Sequence, residues 1–378
     1  MSSHLEMVRL TRGPRDVARF LRVPHAIYRN DPQWVAPLEM DMKLVFQDRN
    51  PLFEHADMDL WVARRDGRDV GRIAAIQDRF FNKRQSPDTG FFGFFESIED
   101  GRVAEALFET VIQWTLARGL RRLLGPFNPT SNDECGLLVD GFDRPPVFMM
   151  PYNPRYYVPL LEGVGLRKAK DLIAFEINLS RSPMDRFEKV SSRFRKHDQG
   201  ITFRPVRKRT LLDDLAQVKQ VYNEAWEDNW GFVPMTDREI DFLAHRIKPL
   251  LLEGLVWLAE VGNEPIGFLL AVPDFNEALQ PMKGKLLRPG LFRFLSYLFG
   301  WRVPAGVRVM VLGVREKYRG RGIESVMLTE GLKTGFRAGF TFAEASWILE
   351  ENVKVRRVIE WFGGKPYKTY RLYEKELG

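Results

Sequence analysis

At 378 residues the chain is too long for one ordinary domain, and 57 Lys+Arg against 50 Asp+Glu leaves a net charge of +7, too dilute for a dedicated nucleic-acid binder. A single cysteine, Cys135, excludes an intrachain disulfide and any CxxC zinc or redox site, and the five histidines show no HExxH or other ligand spacing, so no metal is expected. No apolar run approaches the ~18 residues of a membrane span, and no apolar leader core follows Met1, so a reduced, cytoplasmic protein is expected. In chain order, the first 180 residues read as strand, helix and then a β-hairpin, in which Leu60-Trp61-Val62-Ala63 and a second apolar run ending at Asp78 flank the turn Arg65-Asp66-Gly67-Arg68. A strand at 91–96, a helix at 103–117, a strand at 121–125, a long loop, a helix at 156–163 and a strand at 171–177 follow. Ser182-Pro183 with Asp185 reads as N-cap, N1 proline and first-turn acid, with Gly200 as the stop, so 181–200 is expected to be a linker helix. From 201 the pattern is strand 201–206, helices 211–227 and 237–252, a hairpin at 255–261 and 265–272, strand 307–314, helix 323–337, strand 340–347, helix 352–362 and strand 367–374.

The two halves repeat. Adding 196 carries Trp61 to Trp257, Ala63 to Ala259, Gly71 to Gly267, Ala75 to Ala271 and Asp78 to Asp274 without a gap. Adding 198 carries Glu162 to Glu360, Gly165 to Gly363, Lys170 to Lys368 and Glu176 to Glu374. Both halves run βααβββαβαβ in outline, which implies two copies of one α/β (α+β) domain, each a mixed, mostly antiparallel sheet flanked by helices.

The sharpest chemical signal is the run from Val311 to Ile323, where a β-branched strand enters the short basic loop Arg319-Gly320-Arg321-Gly322 and a helix opens at once. The unpaired N–H groups and dipole of such a helix start make an anion site that glycines let a phosphate approach closely. Here the chain resembles the GNAT superfamily of acyl-CoA-dependent N-acyltransferases, whose pyrophosphate signature is Gln/Arg-x-x-Gly-x-Gly/Ala; Glu324 stands at the final small position. Asn352-x-x-Val355 with Gly363 is similar to the family's next helix, and the family's general-acid tyrosine falls on Ile359. The whole chain is similar to a bacterial tandem-GNAT family carrying the segment 125–138. The resemblance implies a degenerate GNAT-like domain at 1–180, the linker at 181–200, and a GNAT N-acyltransferase domain at 201–378. It implies acetyl-CoA or another acyl-CoA as donor substrate, held by Leu312, Val314, Arg319, Gly320, Arg321, Gly322 and Ile323, with a backbone N–H near Leu312–Val314 polarising the thioester carbonyl. The acceptor is then a small-molecule or peptide amine. Glu344 and Glu227, with Glu224, are the candidate bases and Asn352 a further catalytic candidate, while Trp226, Trp230 and Phe232 are placed to wall an acceptor pocket.

The first copy's equivalent loop, Ser97-Ile98-Glu99-Asp100-Gly101-Arg102, is acidic and is expected to be CoA-free. In the long loop 125–154, Asn128, Asn132, Asp133 and Glu134 are candidate contacts for an amine, whereas Cys135 has no histidine nearby in sequence and reads as a small buried hydrophobe. Residues 281–308 form an insertion with six cations (Lys283, Lys285, Arg288, Arg293, Arg302 and Arg308) and no acid. Within it, a helix from Pro289-Gly290 puts Leu291, Phe292, Phe294, Leu295, Leu298, Phe299 and Trp301 on one arc. Arg293, Ser296, Tyr297 and Gly300 take the other. That pattern suits an acyl-chain lid, a peripheral membrane contact, or a helix packed on the first domain or a homodimer partner. Two alternative readings stay open: a non-catalytic GNAT-fold ligand-binding or regulatory protein, and a Fem-type aminoacyl transferase.

Overall fold

The computed structural model describes residues 4–182, 184–197, 200–207, 209–227, 229–286 and 290–378. The expected N1 proline Pro183, and Arg288 and Pro289 of the insertion, lie outside the described residues. The first copy comprises β1 (Leu5–Leu10), α1 (Pro14–Ile27), α2 (Glu39–Val45), β2 (Ala56–Arg65), β3 (Arg68–Asp78), α3 (Arg79–Arg84), β4 (Thr89–Ser97), α4 (Gly101–Leu116), β5 (Arg122–Gly125), the short strands β6 (Phe127–Asn128), β7 (Glu134–Cys135) and β8 (Leu137–Asp140), α5 (Tyr157–Gly163) and β9 (Arg167–Asn178). The linker is α6 (Met184–His197). The second copy comprises β10 (Ile201–Pro205), α7 (Leu211–Ala225), α8 (Asp237–Ile247), β11 (Val256–Val261), β12 (Glu264–Pro273), α9 (Asn276–Leu279), α10 (Gly290–Leu298), β13 (Gly306–Val314), α11 (Ile323–Ala338), β14 (Phe342–Leu349), α12 (Val353–Trp361) and β15 (Lys365–Glu376).

The repeat residues do equivalent work in both copies. A Cβ on Gly71 would stand 2.9 Å from Leu107 of α4, and one on Gly267 3.1 Å from Met327 of α11, so each glycine lets the helix after the splayed strand lie close on the hairpin. Asp78 caps α3 through the Phe80 and Phe81 N–H groups, and Asp274 accepts from Asn276 N at the start of α9.

The two copies do not each close their own sheet. One continuous sheet runs β1-β2-β3-β4-β5-β15-β9-β14-β13-β12-β11-β10, with β8 also pairing β15. The last strand of the second copy therefore completes the first (Tyr373 opposite Gly125). The last strand of the first copy completes the second (Ala343 opposite Ile177). β9 and β15 pair antiparallel with each other at the centre. The exchange puts backbone hydrogen bonds across the whole seam, and the buried apolar clusters on either side share side chains from both copies. Val233 and Tyr370 sit in the first copy's core, Phe175 and Ile177 in the second's.

Away from the strands, the copies meet at His55. Its Nδ1 faces Asp78 Oδ1 and its Nε2 faces Glu239 Oε1 of α8, each at 3.0 Å, and its ring stacks on Phe80. Burial opposes protonation, but hydrogen bonds to the two carboxylates overcome it and raise the imidazole to about 9. A folded pKa above the ordinary 6.5 means that the stabilisation is fully present below pH 6.5 and lost as pH rises through 9. His55→Gln is expected to cost about 2 kcal/mol at pH 6. The gap to wild type should shrink toward zero at pH 9.5, read from urea unfolding midpoints at both pH values.

Candidate acyl-transfer site and interdomain cavity

In the second copy β13 and β14 pair in parallel only from Gly306–Val309 with Phe342–Ala345, and then part. β13 continues along β12 with a bulge opposite Leu270/Ala271, and the first copy has its own irregularity at Arg72/Ala74, where β4 leaves β5 after Phe91. Each copy thus has a wedge between diverging strands.

At the end of β13 the basic loop is held from beneath. Arg315 pairs with Glu224 at 2.6 Å and also with Glu264, and Arg319 donates to the carbonyls of Val314 (3.2 Å) and Ala225 (2.7 Å). Gly320 (φ 76°) and Gly322 (φ 87°) take left-handed backbone, and Gly322 caps α11 with no side-chain acceptor among the described residues, which leaves the first N–H groups of the helix suited to an anion. In the first copy the same place is closed. Asp100 caps α4 through Arg102 N at 2.9 Å and pairs with Arg65 at 2.8 Å, so a carboxylate already occupies the position a phosphate would take. Glu324 sits in the first turn of α11.

Below the second wedge lies a buried polar cluster. Glu344 of β14 accepts from Ser346 Oγ at 2.7 Å and from the Tyr367 hydroxyl, and Arg308 Nε approaches it at 4.0 Å. Arg308 donates to Ser346 Oγ at 3.1 Å and to the carbonyls of Phe148 (3.2 Å) and Met149 (2.6 Å), with its guanidinium over Trp347. Lys368 donates to the Arg144 and Pro145 carbonyls at 2.8 and 2.9 Å, and burial lowers it to about 8. Arg308 is therefore a core residue of β13. Among the described cations of the 281–308 insertion it is thus the one that lies in the core, 2% exposed, and adds nothing to an exposed basic surface.

The other predicted site residues are dispersed. Glu227 pairs with Arg84 of the first copy at 2.8 Å on the surface, and Asn352 caps α12 through Val355 N at 3.3 Å. Trp226 lies against β13 so closely that a Cβ on Gly313 would be 2.3 Å from its ring, and it stacks on Tyr222 at 4.9 Å. The 125–154 loop is the mortar between the copies. Asn132 accepts from the Tyr222 hydroxyl at 2.7 Å, Phe148 N donates to Asp274 at 2.8 Å, and Asn276 donates to Pro146 O at 2.8 Å. Helix α10 departs from its expected wheel. Gly290, Phe294 and Tyr297 face inward, Tyr297 reaching Glu277 at 3.1 Å, while Phe292, Phe299 and Trp301 are 81%, 62% and 76% exposed.

The first wedge opens into a cavity of about 570 Å³, within the ~300–1,000 Å³ typical of small-molecule sites. Its walls come from α1, α2, β4 and the 125–154 loop of the first copy and from α8, α9 and α10 of the second. Apolar side chains dominate, among them Leu21, Phe94, Leu137, Phe242, Leu250 and Phe294, and Glu134 projects from β7 into the lining. Glu134 is one of the amine contacts the sequence suggests, while the cavity itself is assembled from segments far apart in the chain. Among the described residues no group of His, Cys, Asp and Glu is placed to hold a metal ion, and no helix is long and apolar enough to cross a membrane.

Two wedges on one sheet, one with an open anion cradle and one without, define a tandem GNAT-fold protein. The tandem GNAT protein from the clavulanic acid biosynthesis pathway shares this architecture with a TM-score of 0.60 at 13% identity, over 99% of each chain. No protein-family model matches the sequence. Protein YghO of Escherichia coli is 34% identical over 388 residues, covering 100% of this chain and 97% of that one. The bacterial ceramide synthase of Caulobacter vibrioides is 34% identical over 376 residues, 96% of each. The chain belongs to the family of these two bacterial proteins, and its fold is that of the tandem GNAT protein.

Burial raises the Cys135 thiol to about 12, leaving almost no thiolate at neutral pH. Native protein at pH 7.5 is expected to resist iodoacetamide and to take up one equivalent once unfolded in urea, as read by intact mass.

Proposed function

We propose that the chain is an acyl-CoA-dependent N-acyltransferase that joins a fatty acyl group to a long-chain amino alcohol, the amide bond of a ceramide. The observation that carries this reading is the 34% identity to a bacterial ceramide synthase over 96% of both chains. The open cradle at Arg319, Gly320, Arg321, Gly322 and Ile323 suits the CoA pyrophosphate, and the apolar cavity suits a hydrocarbon chain, each buried methylene of which is worth ~0.8 kcal/mol.

In the reaction the amine nitrogen attacks the thioester carbonyl carbon. The C–N bond forms, the C–S bond breaks, and CoA leaves as its thiolate. Backbone N–H groups near Leu312 and Val314 would hold the oxyanion. The nitrogen sheds a proton as the bond forms and the thiolate gains one. Glu344, already tied to Tyr367 and Ser346, is the second copy's group proposed to relay it, whereas Glu227 and Asn352 are held elsewhere by Arg84 and the start of α12. The test is thiol release and amide formation from palmitoyl-CoA and sphinganine. Arg321→Ala is expected to lower kcat/KM by about tenfold or more through loss of a phosphate contact. Absence of turnover with every acyl-CoA and amine tried would sink the reading.

The acceptor of a ceramide synthase is a lipid, and α10 supports delivery from a membrane surface to a cytoplasmic enzyme. Phe292, Phe299 and Trp301 point outward, with Phe299 and Trp301 stacked at 5.3 Å, and Lys283, Lys285, Arg293 and Arg302 are exposed beside them. The insertion is fastened to the first copy by Glu39 N donating to Gly284 O at 3.1 Å, at the cavity's α2 wall. Sedimentation with phosphatidylglycerol vesicles is expected, with little on pure phosphatidylcholine. Phe299→Asp/Trp301→Asp should leave the protein in the supernatant, and equal binding by that variant would refute the contact.

A further inference from the structure

We infer that the cavity in the first copy's wedge seats the hydrocarbon chain of the acceptor amine, with the Glu134 carboxylate receiving its ammonium group. The inference rests on the acyl-transfer reading above and deepens it by giving the degenerate copy a substrate-binding role.

Position supports it first. The first copy cannot use its wedge for CoA in the usual way, because Asp100 already caps the helix start where a pyrophosphate would bind. The wedge is nonetheless open, and its outer wall is α8 of the second copy, through Phe242, Arg246 and Ile247. In the repeat, α8 is the second helix of the second copy. A ligand here touches side chains of both copies at once.

Charge supports it second. Five acidic groups line the cavity, and four of them are already engaged. Glu96 accepts from the Tyr28 and Tyr157 hydroxyls at 2.8 and 2.7 Å and faces Arg72 at 3.4 Å. Asp41 takes Arg246 at 2.7 Å, Asp133 accepts from Thr130 at 2.7 Å, and Glu39 lies 3.9 Å from Lys43. Glu134 has neither a hydrogen-bond donor nor an ion-pair partner among the described residues. A carboxylate in an apolar wall is costly until a cation arrives. Desolvation raises Glu134 to about 7, with Arg308 and Arg246 opposing the rise and Asp133 and Asp41 adding to it.

Chemistry follows from that placement. The incoming amine is an ammonium ion at neutral pH and cannot attack a thioester. Transfer of one N–H proton to the Glu134 carboxylate leaves a free lone pair on nitrogen and a neutral carboxylic acid in the wall, so both charges disappear together. The chain-side wall has room for an alkyl tail, and Met40, 61% exposed, stands at the rim where the tail can enter.

The test is calorimetric titration of the full chain with octylamine, decylamine and dodecylamine below their aggregation limits, with no acyl-CoA present. Affinity should rise about threefold or more per added methylene. Glu134→Gln should weaken dodecylamine at least tenfold while leaving dodecanol, which has no ammonium, unchanged. Wild-type affinity for dodecylamine should rise between pH 6 and 8 as the carboxylate ionises, and the variant's should stay flat. A second variant, Leu250→Trp, fills the wall from the second copy and should erase the chain-length dependence. Dodecylamine binding equal in wild type and Glu134→Gln, or a chain-length dependence that survives Leu250→Trp, would overturn the inference. Palmitoyl-CoA binding, measured on the same proteins, should be unaffected by either substitution. If amines bind as described but no acyl group is ever transferred, the acyl-transfer reading fails and the cavity assignment stands. Turnover with unaltered amine binding in both variants gives the reverse.

Discussion

The antiparallel pair β9–β15 is the constraint on which the rest of the molecule depends. Each of these strands is the closing strand of one copy by sequence and of the other by position. Their pairing joins two sheets into one and fixes the copies in a single relative orientation. That orientation brings α8 of the second copy over the wedge of the first and so makes the cavity. It also gives the 125–154 loop a wall to lie on, which is why buried cations, Arg308 and Lys368, can spend their donors on that loop's carbonyls. A cation buried at such a seam costs too much desolvation to be there unless those acceptors are in place.

Duplication with exchange leaves the two wedges free to diverge. In the second, a glycine with left-handed backbone starts the helix and presents bare N–H groups. In the first, an aspartate does so and supplies its own anion. The difference between an uncapped and a capped helix start is here one side chain, and it distinguishes the copies more sharply than any difference in their folds.

Much of the architecture was legible in the sequence. Hairpins, helices and the cradle are local features, and the chain writes them in periods and turn residues within a few positions of where they occur. The glycines at 71 and 267 even mark the same helix-on-hairpin contact. Strand exchange was not legible, because alternation specifies which face of a strand is buried and not which neighbour lies beside it. The cavity was not legible either, since Leu21, Leu137, Leu250 and Phe294 meet only in three dimensions. The burial of Arg308 was not legible for a related reason. Nothing local marks it as buried, and the carbonyls of Phe148 and Met149, some 160 residues earlier, account for its burial. The helix α10 shows the limit of a wheel. Tyr297 went inward because Glu277 could take its hydroxyl, which left Phe292 and Phe299 outside.

The crossed closing strands also govern the order in which the protein is born. The first copy is complete in sequence at Asn178, yet β5 has no partner on its outer side until residues 365–376 leave the ribosome. At ~5–20 residues per second the wait is on the order of 10–40 s, during which the nascent first copy carries an open strand edge. The chain therefore cannot fold vectorially, domain after domain. It finishes both halves together, with β15 as the latch.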